Sequence, residues 1–365
     1  MKKIGIDIKI LAEQKTGIGN YLENILINFP EKKFEFFCFS HKKININIVN
    51  HNFKFIYSNI NSNLGRQVWS QTILPYYIKK YKIDLFWSPS HRIPFLLPKS
   101  IKSVVTIHDL VWLHHSKTMR KSSYLLDKYL MPYAIKKSDK ILTVSYNTKL
   151  DLIDNFDVKK NKIKVTKLAP KNHKYLYKDY TNLSKLKNCI LLVATNDPRK
   201  NINRTIAAYS RLSVSLRKKH NLVIVGSRGW AKKSIKTLIQ NFKLIDTVKS
   251  IGYIDENKLS WLYKNCKLLI LVSIFEGFGL PIVEAMINNK PQITSNNSSM
   301  KEVAAKTSFL VNPYSIFDIS QKLNLILTND QVFKKLKSNC MIKIKNFSWR
   351  NTSQDTINLF ENLLK

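Results

Sequence analysis

Two apolar patterns alternate along this chain. Short runs rich in β-branched and aromatic residues, bounded by polar ones, read as buried strands, and longer stretches with apolar residues three and four apart read as helices. In the first half, KIGIDIKIL (3–11), FEFFCFS (34–40), IDLFWS (83–88), SVVTI (103–107) and KILTVS (140–145) predict strands. NYLENILINF (20–29) and SSYLLDKYLMPYAIKKS (122–138) predict helices. A second series, CILLVAT (189–195), NLVIVG (221–226), LLILVS (268–273) and PQITS (291–295), predicts the strands of another sheet. Ser299-x-x-Glu302 reads as a capping box for the helix that follows. Alternating strands and helices indicate βα units and parallel sheets. At 365 residues the chain exceeds one typical core. The fold class expected is therefore α/β, with two doubly wound, Rossmann-like domains facing each other across a cleft. The first spans 1–168, a polar, poorly periodic linker spans 169–187, the second domain spans 188–345, and 346–365 forms a C-terminal helix packing back on the first.

Composition narrows the classes. Hydrophobic residues make up 44%, enough for well-packed interiors. No apolar run approaches the ~18–20 residues needed to span a bilayer. MKKIGIDIKIL starts basic, but Asp7 and Lys9 interrupt any signal-peptide core, so it reads as a first strand. Cys38, Cys189, Cys266 and Cys340 are scattered, without Cys-x-x-Cys or metal-ligand spacing, which suits buried thiols in a reducing, cytoplasmic setting.

The charge widens the picture again. There are 61 Lys+Arg against 24 Asp+Glu, so 61 − 24 = +37, with a pI near 10.0. A nucleic-acid footprint, attraction to anionic lipid and a compositional bias toward lysine all fit such a balance. The lysines are spread over the whole chain, with no Arg-rich arm, zinc finger or aromatic RNA-binding signature, so nucleic acid is not the partner expected. YYIKKYK (76–82) and YAIKKSDK (133–140) mix aromatics with lysines. They read either as a face for an anionic membrane surface, giving a peripheral location on the inner side of the cytoplasmic membrane, or as solvated lysines over buried rings.

In open parallel sheets, ligands sit beyond the carboxyl ends of the strands, and polar residues collect at those positions. TIHDL places His108 and Asp109 after a strand; ATNDPRKN places Arg199 and Lys200 after the first strand of the second series. A guanidinium fork and a point charge suit a diphosphate, although two basic residues in a loop are also ordinary in so basic a protein. For His108 a capped or core histidine is an equal reading. EQKTGIGNYL gives a loop with Gly17 and Gly19, but Leu22 spoils Gly-x-Gly-x-x-Gly, so a dehydrogenase fingerprint fails. In SIFEGFGLPIVEAM an apolar strand is broken by Gly277 and Gly279, and Pro281 stands at the first helical position. Strand, glycine turn and helix N-terminus together favour an anion such as phosphate. Glu276 and Glu284 flank that turn. No Asp-x-Asp occurs, which removes one common device for holding a nucleotide-sugar metal.

EGFGLPIVEAM resembles the Glu-x7-Glu signature of the retaining glycosyltransferases of family 4, which have the GT-B fold. The similarity runs through residues 251–304, and HDLVWL, TVSYNTKLDLI, DPRKN, VIVGSRGW and FSWRNT resemble further family segments in the expected order. The resemblance implies transfer of a hexose from a nucleotide sugar to a hydroxyl of a glycan or lipid-linked acceptor, with retained configuration and no metal or other cofactor. Glu276 would bond the donor sugar and Glu284 the ribose, while the backbone at Phe278, Gly279 and Leu280 approaches the diphosphate. Arg199 and Lys200 would neutralise the leaving phosphate. His108, with Asp109 beside it, would reach the donor sugar, and Gly17 and Gly19 would let the first loop close on the phosphates. Thr195 and Gly226 complete the donor set. Thr195 stands where many members carry an arginine, a charge that Arg199 would supply. The resemblance leans toward lipopolysaccharide or surface polysaccharide assembly and, through mannosyltransferase members, toward GDP-mannose. A basic nucleic-acid-binding protein, a catalytically silent glycosyltransferase-like scaffold and a nucleotide-sugar epimerase of the same fold are the rivals.

Overall fold

A computed structural model describes residues 1–13, 17–30, 33–46, 48, 52–171 and 180–365, without the side chains of 63, 181 and 182. The chain forms two compact units, one of Met1–Leu113, Lys121–Leu168 and Ser348–Lys365, the other of His114–Arg120 and Ala169–Phe347.

The first unit is built on a seven-stranded parallel sheet of β1 (Lys3–Asp7), β2 (Glu35–Ser40), β3 (Phe53–Tyr57), β4 (Leu85–Ser88), β5 (Lys102–Ile107), β6 (Lys140–Thr143) and β7 (Ile163–Val165). The order is β3-β2-β1-β4-β5-β6-β7, so the winding reverses between β1 and β4. Ile4, Ile6, Phe36, Phe39, Trp87 and Val105 are fully buried, as both faces of a parallel sheet demand. β1 stops at Asp7, short of its apolar run, because the Asp7 carboxylate accepts from Lys9 N at 3.1 Å and turns the chain into the 3₁₀ segment Lys9–Ala12. Two strands escape the sequence pattern, β3 and β7. Both are sheet edges with half-exposed side chains, where lysine and polar neighbours dilute the apolar signal.

Gly17 and Gly19 do not form a loop. They open the helix Gly17–Ile27, in which Gly19 is buried. The last helix, Trp349–Leu364, completes this unit. Ser353 Oγ donates to Ile25 O at 3.1 Å, the Phe360 ring lies 5.7 Å from Trp87, and Lys33 pairs with Glu361 at 2.6 Å.

The second unit carries a six-stranded parallel sheet, β10-β9-β8-β11-β12-β13, made of β8 (Ile190–Val193), β9 (Leu222–Val225), β10 (Val248–Gly252), β11 (Leu268–Leu271), β12 (Gln292–Ser295) and β13 (Ser308–Val311). The unpredicted strands, β10 and β13, are again the edges. Its winding reverses between β8 and β11.

A continuous first domain over 1–168 needs correction at one place. His114–Arg120 groups with the second unit, because the His114 and His115 rings each lie 5.4 Å from Phe275 and Trp230 Nε1 donates to Thr118 O at 3.1 Å. Of the expected linker, residues 172–179 lie outside the described residues, and the rest groups with the second unit, where Lys171 meets Glu256 at 2.5 Å.

The capping box also needs correction. The helix Ser298–Ala304 follows Asn297, and Ser299 is a buried residue inside it. Its hydroxyl is drawn to Glu276 O at 2.8 Å instead of capping the helix. Pro281 is the second residue of the helix Leu280–Ile287, still within the first turn that lacks intrahelical N–H partners. All four cysteines are buried free thiols. No helix among the described residues is long and apolar enough to cross a membrane.

Candidate functional site

Arg199, Lys200 and Glu276 converge where the winding of the second sheet reverses, beyond the carboxyl ends of β8 and β11. The chain leaving β8 makes the 3₁₀ turn Pro198–Lys200 and enters the next helix through Asn201, in the left-handed region at φ 57°. Asn201 Nδ2 donates to Val272 O at 2.9 Å and to Pro313 O at 2.7 Å, and Ile274 N donates to Arg199 O at 2.8 Å. The basic turn is thereby stitched to the end of β11.

On that frame the three side chains meet. Arg199 Nη1 donates to Glu276 Oε2 at 2.6 Å and to Phe275 O at 2.7 Å. Lys200 Nζ donates to Glu276 Oε1 at 2.6 Å, and Ser273 Oγ to the same oxygen at 2.7 Å. Glu276 N donates to Ser298 Oγ at 3.2 Å. Glu276 is 6% exposed. Burial alone would raise its pKa, but Arg199 and then Lys200, with hydrogen bonds from Lys200 and Ser273, outweigh that and bring it to about 2. Burial conversely pulls the Lys200 ammonium down, with Glu276 opposing. The cluster is one carboxylate under two cations. With the Asp197 carboxylate close enough to act on both cations, the site offers cations for an anion and acceptors for hydroxyls.

Backbone surrounds it closely. Gly226 ends β9 at φ +152°, and a Cβ there would stand 2.0 Å from Ala194 O. A Cβ on Gly229 would stand 2.3 Å from Asn196 O. The loop after β9 therefore lies directly on the loop after β8, where Ser227 Oγ donates to Thr195 Oγ1 at 3.4 Å. Gly279, at φ +92°, precedes the helix that starts at Leu280. The Phe278 side chain is buried edge-on to Phe347, with 5.9 Å between ring centres, so only its backbone remains for a ligand.

Glu284 is placed apart from Glu276, on the helix Leu280–Ile287. Its Oε2 accepts from Tyr263 Oη at 2.7 Å, and burial raises its pKa, with the Tyr263 bond and Lys171 opposing. His108, Asp109, Gly17 and Gly19 belong to the first unit. His108 is a packed histidine. Its Nε2 lies 2.8 Å from Pro89 O, its ring meets Tyr21 edge-on at 4.9 Å, and its N donates to His91 Nε2 at 3.1 Å. Burial, then the neighbouring His91, lowers its pKa to about 3, so the ring is neutral near pH 7. Asp109 Oδ1 accepts from Val111 N at 3.2 Å.

Ser273, Ser298, Asn201 and Tyr263 were not singled out from the sequence, and Ser299 was read only as a capping residue. Ser273, three residues before Glu276, carried a signal in its spacing. Nothing in the sequence ties Tyr263 to Glu284.

Comparison with known proteins decides the class. The sequence model of Glycosyltransferase Family 4 matches residues 15–167, and that of Glycosyl transferases group 1 matches residues 174–343. Between them they take in most of the chain. It is a family 4 glycosyltransferase. This glycosyltransferase is 26% identical over 310 residues to O-antigen chain mannosyltransferase B of Escherichia coli, across 81% of its own length and 77% of the relative. To the serotype-specific mannosyltransferase WbdA of E. coli it is 27% identical over 282 residues, 72% of this chain but 34% of that one, so it spans about a third of the longer relative. The solved structure of Anabaena HepE in complex with UDP and glucose superposes with a TM-score of 0.75, covering 99% of this chain and 100% of HepE at 16% identity. That likeness shows the fold, which is GT-B.

Proposed function

We propose that this glycosyltransferase moves a hexose, with mannose from GDP-mannose the first donor to test, onto a hydroxyl of a glycan or lipid-linked acceptor in lipopolysaccharide or surface polysaccharide assembly. The observation that carries the reading is Glu276, held ionised between Arg199 and Lys200 at 2.6 Å each. The bond between the anomeric carbon and the leaving diphosphate breaks, and the acceptor oxygen bonds that carbon. Arg199 and Lys200 meet the charge that develops on the diphosphate, which is the task a metal ion performs elsewhere. A carboxylate whose pKa lies near 2 and whose two oxygens are both engaged is a weak base and a weak nucleophile. Glu276 therefore acts as a ligand for sugar hydroxyls, and the acceptor proton passes to the leaving phosphate, which favours retention through same-face attack. Glu284 takes the ribose. The mannose and O-antigen assignments follow the names of the E. coli relatives.

Peripheral attachment to an anionic membrane belongs to the same proposal. Phe95 N donates to the Gln71 side chain at 2.8 Å, which sets exposed Phe95 and Leu96 beside the helix Asn63–Gln71 with its exposed Leu64 and Val68, and Lys79 and Lys80 end the next helix. Exposed apolar side chains on this unit, together with the lysines of the 76–82 and 133–140 stretches, suit an anionic lipid surface.

The test is direct binding of GDP, UDP and ADP at physiological salt, with Glu284→Ala as control, followed by NMR assignment of the product anomer. Micromolar binding of one nucleotide, lost in the variant, with a retained anomer, supports the reading. Weak, equal binding of all three that salt abolishes would reject it.

A further inference from the structure

Asp197 is a second carboxylate beside the two cations, and no step of the transfer uses it. It is 8% exposed, and its Oδ1 has no hydrogen-bond partner among the described residues. It stands at the N-cap of the turn Pro198–Lys200, where an aspartate ordinarily accepts from a backbone N–H, yet its side chain makes no capping bond. The loop after β9 closes over it. A Cβ on Gly229 would stand 2.4 Å from Asp197 Oδ1, and Ala231 N donates to Asn196 O at 3.0 Å. Burial raises the Asp197 pKa, with Lys200, Arg199 and Arg120 opposing and Glu276 adding to the rise. Arg199 and Lys200 make their short contacts with Glu276 instead, at 2.6 Å each.

A buried carboxylate that caps no helix and keeps one oxygen unpartnered costs stability. Such exceptions to local rules collect at functional sites. What Asp197 does is set the field at the two cations. A negative charge there weakens their attraction for an anion, and more so the more charge the anion carries. The leaving diphosphate gains negative charge as its bond to the sugar breaks, so cations that stabilise the break also hold the product nucleotide. Product release limits turnover in many enzymes.

We propose that Asp197 is a positioning residue for product release: through Lys200 and Arg199 it lowers the affinity of the site for the nucleoside diphosphate that transfer leaves behind. This rests on the glycosyl-transfer reading above, which makes that nucleotide the product.

The experiment is calorimetric titration of the full chain with GDP, UDP and ADP, beside Asp197→Asn, which keeps the shape and removes the charge, and Asp197→Ala. Melting temperatures show which variants fold. The nucleotide that the wild type binds should bind either folded variant at least about five-fold tighter, the scale expected of one nearby charge in a partly shielded site. In a Lys200→Ala background the gain should shrink, because one of the two cations through which Asp197 acts is gone. Unchanged or weaker affinity in a folded variant, or an equal gain with and without Lys200, would overturn the proposal. Failure of both variants to fold would make Asp197 a structural residue and overturn it as well. A wild type that binds none of the three nucleotides would sink the donor-site reading itself, and this proposal with it.

Discussion

Tyr263 donates its phenolic hydrogen to Glu284 Oε2 at 2.7 Å, although both side chains are packed within the second unit and stand 21 residues apart in the chain. Each keeps the other in place. Burial raises the pKa of the phenol, and the carboxylate raises it further, so Tyr263 is a donor at every physiological pH.

Tyr263→Phe removes that donor and leaves a buried carboxylate one bond short. A lost hydrogen bond to a charged group costs roughly 1.5–3 kcal/mol. The melting temperature should fall accordingly, and nucleotide affinity should weaken through misplacement of Glu284. Calorimetric titration of the variant with an unchanged Kd would show that Glu284 does not contact the nucleotide.

Lys200→Ala removes one of the two cations that meet the leaving diphosphate. Turnover should drop by about 10²–10³, the usual cost of a well-placed charge-stabilising donor. Lys200→Arg should recover little, because a planar fork replaces a point charge whose Nζ reaches Glu276 Oε1 at 2.6 Å. Near-normal kcat in the alanine variant would reject the role.

Acid should destabilise the fold in two overlapping windows. Folded His108 titrates near 3 against an ordinary 6.5, so the unfolded chain binds more protons between those values and stability falls as pH drops from about 6.5 toward 3. His41, His115 and His220 are shifted the same way by burial. Glu276, near 2 against 4.5, contributes stability that is complete above 4.5 and is lost as pH falls toward 2. Melting temperature should therefore decline as the pH falls below neutral. The His108 ring resonances should not titrate between pH 8 and 5; a midpoint near 6.5 would show the ring to be solvated.

Gly226→Ala should be poorly tolerated. The new Cβ would stand 2.0 Å from Ala194 O and 2.5 Å from its carbonyl carbon, at a φ of +152° that L residues rarely adopt. The loops after β8 and β9 must separate, so both stability and nucleotide affinity should fall. Gly252→Ala, at φ +70° with nothing within 4 Å of its Cβ, is the comparison that carries backbone strain alone. Equal losses in both variants would mean that the contact with Ala194 is unimportant.

The central strands were legible because burial on both faces requires unbroken apolar runs such as LLILVS, which becomes β11. β3, β7, β10 and β13 were not, since an edge strand carries exposed residues such as Lys54, Lys164 and Lys249 that break the apolar run. Arg199, Lys200 and Glu276 stood out by lying just after strands. Their mutual pairing did not, because it depends on β8 and β11 being neighbours in the sheet. Ser299 was misread for the complementary reason. Its spacing to Glu302 is local, whereas the carbonyl that claims its hydroxyl belongs to Glu276, 23 residues away.

The final helix, Trp349–Leu364, has a consequence for synthesis. The first unit includes Met1–Leu113 but also Ser348–Lys365, so it lacks a core element until residues 348–365 have been made. The second unit has all its residues by Phe347. The unit that begins first thus finishes last. Until those residues emerge, Ile25 O lacks the Ser353 hydroxyl and Trp87 lacks the Phe360 ring, so the growing chain presents an unfinished apolar seam.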